Sequence, residues 1–304
     1  MDKLDQYRIF VQVAEMGSFI KAAYVLGLPR ATVSAAIQQL EEKIEIRLLN
    51  RTTRQVSLTV DGVLFLQRVR PLLADADDVE QLFQSNEQQV SGQLRIDVPS
   101  RIARRLIAPA LPDLLRRYPQ LHLVMGSADR VIDLVQEGVD CAVRVGTLQD
   151  SSLVVRSLGF IGLINCASPS YLNEYGLPRT PEDLLKGHWM VGYASPSGGR
   201  ELPWEFIDAA GKTQNLMVPS RLVVNNAESY IAACRAGIGL IQIPRFDVQH
   251  FVDRGELIEV IPTLLAAPMP VSLLYPHRNQ RSRRLVVFMD WFSELIAPHL
   301  EGVV

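Results

Sequence analysis

Apolar residues over the first sixty positions repeat with the period of a helix. Leu4, Tyr7, Val11 and Ala14 recur at spacings of three and four, one stripe of a helix over about 4–15 that Gly17 ends. Ser18 is a suitable N-cap for a second helix, with Phe19, Ala22, Ala23 and Leu26 inward, where the two alanines let another helix cross closely. Gly27 supplies a turn, Leu28 plugs the core, Pro29 suits a helix start, and Val33, Ile37, Leu40 and Ile44 make the inner stripe of a third helix. The pattern predicts helix, tight turn, helix.

The outer face of the third helix carries short polar or basic side chains: Arg30, Ser34 and Gln38 stand in line, with Ala31, Thr32 and Ala35 beside them. Acids are delayed until Glu41 and Glu42, whereas a solvated face ordinarily carries Glu and Lys throughout, so this face suits a DNA major groove. Over 46–60, Arg47, Arg51 and Arg54 stand without an acid, and 47–59 reads as a two-stranded wing that offers these arginines and Thr52 to phosphates. Residues 1–58 are therefore expected to be a winged helix-turn-helix contacting duplex DNA, Ser18 included among the contacts. Arg30, Thr32, Ser34 and Gln38 would face bases. A three-helix bundle with a polar face is the structural alternative.

One long helix is expected from 59 to about 86, where Phe65, Val69, Leu72, Ala76, Val79 and Phe83 alternate spacings of four and three. Residues 59–90 thus read as a dimerisation helix and hinge, although such a stripe also suits a helix packed on its own domain. Beyond Ser91-Gly92-Gln93, strands near 94–98, 121–125, 140–145, 162–167, 238–243 and 271–275 alternate with helical segments. This rhythm predicts an α/β fold with parallel sheets in two lobes, about 91–162 plus 268–304, and about 163–267. Ligands of open α/β sheets settle beyond the carboxyl ends of strands, beside helix N-termini, which selects Ser100, Arg101, Ile102, Gly146, Thr147, Ser195 and Asn226. Ser100, Arg101 and a helix terminus would suit a carboxylate or another small anion.

The formal net charge of −2 over 304 residues does not count against nucleic acid, because it averages a basic wing with acidic segments such as Asp75, Asp77, Asp78 and Glu80. The opening MDKLDQYRIF is charged where a signal peptide needs an apolar run, and no stretch approaches the roughly 18 apolar residues of a membrane helix, so the cytoplasm is the expected location. Cys141, Cys166 and Cys234 are odd in number and widely spaced, the pattern of reduced buried thiols rather than of a disulfide or zinc site. His122, His188, His250, His277 and His299 lack ligand spacing, and no cofactor is expected. Ser195-Pro196-Ser197-Gly198-Gly199 lacks the order of a nucleophile elbow, and Gly237-Ile238-Gly239 leads from helix to strand, the wrong polarity for a dinucleotide turn. No enzyme is expected.

The run SFIKAAYVLGLPRATVSAAIQQLEEKIEIRLLNRTTRQVSLTVDG resembles the N-terminal domain of the LysR-type transcriptional regulators, in the order of its small residues, the VS of the third helix, the LE at its end and the wing. It departs from that pattern at Ala35, where a basic residue often follows Ser34, and at Pro29, where a Ser or Thr cap is common. A missing arginine removes a base contact worth about 1–3 kcal/mol of discrimination, which shifts specificity toward operator shape and half-site spacing. The resemblance implies a two-lobed effector domain similar to periplasmic binding proteins. Its implied partners are a roughly palindromic operator, a small-molecule effector, RNA polymerase and further copies of the chain as a homodimer or homotetramer. The alternative is a small-molecule binding module whose N-terminal bundle serves assembly.

Overall fold

The computed structural model describes residues 1–51, 56–81, 90–127, 129, 132–148, 153–194, 199–276 and 282–301. Thr52, Phe83, Arg54 and Ser195 lie outside the described residues, as do the side chains of Arg51 and Val79. The chain divides into two compact units, Met1–Gln89 with Val135–Gly138, and Val90–Leu134 with Val139–Val304.

In the first unit, α1 (Lys3–Met16), α2 (Phe19–Leu26) and α3 (Arg30–Ile44) form the expected helices. Asp2 and Asp5 close a capping box on α1, and Gly17 and Gly27 end α1 and α2 in the left-handed conformation, at φ 58° and 63°. Phe10, Val13, Ala22, Val33, Ile37 and Leu40 meet in one core. The wing is an antiparallel pair, β1 (Leu49–Arg51) and β2 (Val56–Leu58). Glu41 fixes where it starts, one carboxylate oxygen accepting the Leu48 and Leu49 N–H groups at 2.8 and 3.1 Å. Thr59 closes it, donating its hydroxyl to the Arg47 carbonyl at 2.8 Å and accepting the Gly62 N–H at 2.9 Å.

The long helix α4 spans Val60–Gln81. The expected seam is not free along its length. Phe65 stands edge-on to the Tyr7 and Phe10 rings at 5.4 and 5.2 Å, and Val69 is buried with Leu66 and Leu73 in the core of α1–α3. The repeat that suits a dimer seam equally suits a helix laid on its own domain, and here the aromatic pocket of α1 takes it. The described apolar side chains left in solvent are Val60, Val63, Leu64 and Leu72, and Ala76 is half-buried.

From Gly92 the chain runs through β3 (Gly92–Val98), α5 (Ser100–Ile102), a π-helical turn (Ala103–Ile107), α6 (Ala108–Arg117), β4 (Leu121–Ser127), α7 (Leu134–Glu137, of which 135–137 group with the first unit), β5 (Cys141–Val145) and β6 (Val154–Ile161). After β7 (Leu163–Ala167), α8 (Pro169–Tyr175), α9 (Pro181–Leu185) and β8 (Met190–Tyr193) come β9 (Trp204–Ile207), β10 (Thr213–Leu216) and β11 (Ser220–Val224). The chain ends through α10 (Ala227–Arg235), β12 (Ile241–Pro244), α11 (Arg245–Asp253), β13 (Ile258–Glu259), β14 (Met269–Tyr275) and α12 (Arg283–Ile296).

Both lobes are α/β, but their sheets are mixed rather than uniformly parallel. Lobe one carries the order β4-β3-β5-β14-β6, in which β3 runs parallel to β4 and β5 while β14 is antiparallel to β5 and β6. The reversal follows from connectivity, since the chain leaves lobe one after β6 and returns along β14. In lobe two β7 lies antiparallel between β12 and β13, β11 pairs with β8 in parallel, and β9 with β10 forms a hairpin. The helical segment between β3 and β4 contains the π turn, where Ala108 donates its N–H to the Ala103 carbonyl five residues back. Pro109, two residues into α6, has no N–H to offer the Arg105 carbonyl, so a regular α ladder cannot pass this point.

Gly62 is the position at which the joint of wing and α4 is least tolerant. A Cβ there would lie 2.0 Å from the Leu48 carbonyl oxygen, a backbone atom that cannot rotate away. Gly62→Ala is expected to cost about 1–3 kcal/mol, the usual penalty of overpacking, read as a lower urea midpoint of the full chain.

Candidate DNA-reading and effector sites

Arg30, Ala31, Ala35 and Gln38 are exposed on α3, and Thr32 and Ser34 are half-buried along the same face. Pro29 caps α3 without a side-chain bond, so no capping side chain covers its first N–H groups. Gln38 donates to Glu42 at 2.9 Å, which braces its amide along the helix. Ser18 caps α2, its hydroxyl accepting the Lys21 N–H at 3.4 Å, and Arg47 is exposed at the base of the wing. Sequence reasoning missed Tyr24 on α2, 89% exposed beside exposed Val25 and Ile20. Its signal was present, since Tyr24 falls outside the inward stripe of Ala22, Ala23 and Leu26.

In the two-lobed unit, a residue not selected from the sequence organises the site. The Asp129 carboxylate accepts the Ser100 N–H at 2.9 Å and the Ser100 hydroxyl at 3.0 and 2.9 Å to its two oxygens. It also accepts the Ala227 N–H at 2.8 Å. Ser100 opens α5 in lobe one and Ala227 opens α10 in lobe two, so helices from both lobes aim their first N–H groups at one anion. Asn226 sits at this junction as the N-cap of α10, accepting the Ser229 N–H at 2.8 Å. Asp129 follows β4, whose carboxyl end obeys the same rule that selected the loops after β3 and β5.

Arg101 departs from expectation. It is 4% exposed and engaged by internal acids, its Nε donating to Asp247 at 3.2 Å and another guanidinium nitrogen lying 3.0 Å from Glu228. Buried arginine requires internal acids, and α10 and α11 provide them. Arg104 shares Glu228 at 3.1 Å. Ile102 is a core residue of lobe one. Gly146 ends β5 with φ 100° and donates its N–H to the Pro270 carbonyl at 2.8 Å, and Thr147 beside it is exposed.

Burial pushes the Asp247 carboxyl up to about 7, against the pull of Arg101. Partial burial acts on Glu228 in the same direction, but Arg101 and Arg104 hold its carboxyl below the usual range. Burial, with the charges of Asp129 and Asp247, raises the Tyr193 hydroxyl well above its ordinary value. The three thiols are buried, and desolvation lifts Cys141 and Cys166 to about 12 and Cys234 well above its ordinary value, so all are protonated and poor nucleophiles.

A helix-turn-helix with a wing, joined in one chain to a two-lobed α/β domain whose lobes share an anion cradle, defines the class of ligand-responsive transcription regulators. Residues 4–63 match the profile of the bacterial regulatory helix-turn-helix protein, lysR family, and residues 87–297 match the LysR substrate binding domain. An Escherichia coli K12 relative, the HTH-type transcriptional regulator YhjC, is 39% identical over 301 residues, covering 99% of this chain and 100% of its own. The E. coli K12 transcriptional activator AaeR is 33% identical over 300 residues, with 97% and 96% covered. The solved structure of CrgA, a LysR-type regulator from Neisseria meningitidis, superposes with a TM-score of 0.60 at 31% identity, covering 95% of this chain and 97% of that one. Full-length AphB of Vibrio cholerae gives 0.59 at 28% identity, with 98% and 100% covered. The chain belongs to the LysR family of transcriptional regulators.

Asp247 makes a pH dependence. Its carboxyl holds a proton more tightly in the folded state than in the unfolded chain, where it titrates in the usual range near 4, so the stability it confers is lost as pH rises from about 4 to about 7. Urea unfolding across that interval is expected to show the wild-type chain losing stability relative to Asp247→Asn, which carries no proton equilibrium there.

Proposed function

We propose that this regulator acts in the cytoplasm as a homodimer or tetramer on a roughly palindromic operator and responds to a small organic anion bound at the seam of its two lobes. The observation that carries the effector class is the cradle itself. Ser100 N–H and hydroxyl and Ala227 N–H already hold a carboxylate in place, that of Asp129, and an effector carboxylate takes its position. Such exchange alters the link between α5 and α10 and shifts the population of lobe arrangements, which is how occupancy reaches DNA and RNA polymerase. Dimerisation through α4 uses its solvent-facing apolar residues, Leu64 and Leu72 with Val60 and Val63, rather than Phe65 and Val69. Bases are read by Arg30, Thr32, Ser34 and Gln38 and phosphates are held by Arg47, Arg51, Thr52 and Arg54. Regulation rather than catalysis is the activity.

The test has two arms. A gel shift on the promoter region beside its own gene is expected to give a sequence-specific complex that weakens with salt, and the triple change Arg30→Ala, Ser34→Ala, Arg47→Ala is expected to abolish it while the unfolding midpoint stays within error. A thermal-shift screen of small aromatic and aliphatic carboxylates is expected to find a ligand adding about 2.7 kcal/mol at a hundred times its dissociation constant, an effect Ser100→Ala removes. Specific binding that survives the triple change, or a stabilising carboxylate indifferent to Ser100, would contradict the reading.

A further inference from the structure

One cavity at the lobe seam is lined by four arginines and one acid. A cavity of about 130 Å³ opens between the π turn of lobe one and helices α10 and α11 of lobe two, lined by Arg101, Arg104, Arg105, Glu228, Arg235 and His250 among others. Ser100 and Ala227 are not in its wall, so it is separate from the Asp129 cradle.

Charge is unequally distributed in it. Glu228 is shared by Arg101 and Arg104, Asp247 is engaged by Arg101, and Glu256 pairs with Arg235 and reaches Arg254 at 3.9 Å. Four guanidiniums, those of Arg101, Arg104, Arg105 and Arg235, thus line the cavity with one carboxylate, Glu228, while Asp247 and Glu256, outside the wall, engage Arg101 and Arg235. Arg105 has no ion pair among the described residues. Partial burial and the neighbouring Arg101 charge make its own charge harder to keep, against the pull of Asp247, and Arg104 and Arg254 add to the effect. His250 completes the imbalance, for its Nδ1 is buried without a hydrogen-bond partner, and burial with Arg105, Arg101 and Arg254 favours its neutral form.

The backbone explains why the charges gather here. Pro109 forces the π turn, and the wider turn sets the consecutive Arg104 and Arg105 against the face of α10 that carries Glu228, Ala232 and Arg235. Arginine forks match the spacing of oxyanion oxygens, and Arg235, stacked over the Phe251 ring at 4.1 Å, is held in a fixed plane.

We propose that this pocket is a second anion site, taking a small tetrahedral oxyanion of the phosphate type, which ties the π turn of lobe one to α10 and α11 of lobe two. Arg105, which makes no ion pair among the described residues, and the forks of Arg104 and Arg235 beside it suit the oxygens of one small oxyanion, and a cavity of about 130 Å³ is too small for a nucleotide. The inference is independent of the effector reading, because none of the cradle atoms takes part.

The probe is inorganic phosphate, titrated calorimetrically into the full chain at constant ionic strength, with chloride as the balancing ion. Saturable binding is expected, weakened at least about tenfold by Arg105→Gln, partly restored by Arg105→Lys and unchanged by Ser100→Ala or by Arg47→Ala in the wing. Because Arg105 makes no ion pair among the described residues and its charge is disfavoured where it stands, Arg105→Gln is expected to unfold at or above the wild-type midpoint in phosphate-free buffer; a fall in that midpoint would overturn the account of Arg105 as an unpaired charge. No saturable binding at about 10 mM phosphate, or equal binding by Arg105→Gln, would overturn the proposal. Loss of binding in Ser100→Ala or Arg47→Ala would place the anion in the cradle or on the DNA-reading face instead, and would overturn it equally.

Discussion

One carboxylate, held between the first N–H groups of two helices, sets the terms for the ligand-binding half of this molecule. Asp129 accepts from Ser100 on lobe one and from Ala227 on lobe two. The lobes are joined covalently only by the crossings between β6 and β7 and between β13 and β14, so their relation rests on contacts across the seam. Hydrogen bonds to a charged group are worth about 1.5–3 kcal/mol each net, enough to bias such an equilibrium and small enough for a ligand of ordinary affinity to replace. The neighbouring Arg101 contact differs in kind. It is buried, it engages both Asp247 and Glu228, and removing one partner of such a pair costs about 3–5 kcal/mol. The seam therefore joins the lobes in two ways, through the Asp129 hydrogen bonds and through the buried Arg101 ion pairs.

The DNA-reading unit answers a different demand, that a few short side chains be presented on a rigid face. Its core has no adjustable part: the glycine turns, the alanines of α2 and the ring cluster of Tyr7, Phe10 and Phe65 fix α3 against its neighbours. Glu41 and Thr59 convert the end of α3 and the start of α4 into anchors for the wing. Ala35 is exposed on the α3 face beside Arg30 and Gln38, which leaves that face short of long basic side chains.

What could be read from residues follows the range of the interactions. The helices of the first unit were legible because their apolar stripes are local and periodic. The stripe of α4 was legible as a stripe but not as to its partner, since Phe65 and Val69 obey the same spacing whether they meet a second chain or α1. The strands β6 and β8–β11 escaped because they are short or mixed in polarity, and the direction of β14 depends on where the chain re-enters the sheet. Asp129 escaped for a related reason, its partners lying 29 and 98 residues away. Arg101 looked available because Asp247, which occupies it, is 146 residues distant. The places of Ser100 and Asn226 at helix starts were legible, for helix N-termini at strand ends announce themselves locally.

The central claim is that Asp129 holds the two lobes in one arrangement. The native thiols are buried and protonated, so cysteines introduced at exposed Arg117 in lobe one and Lys212 in lobe two accept spin labels selectively. Electron–electron double resonance between them is expected to give one narrow distance distribution for the otherwise wild-type chain and a broadened or displaced one for Asp129→Ala. Superimposable distributions would contradict the account.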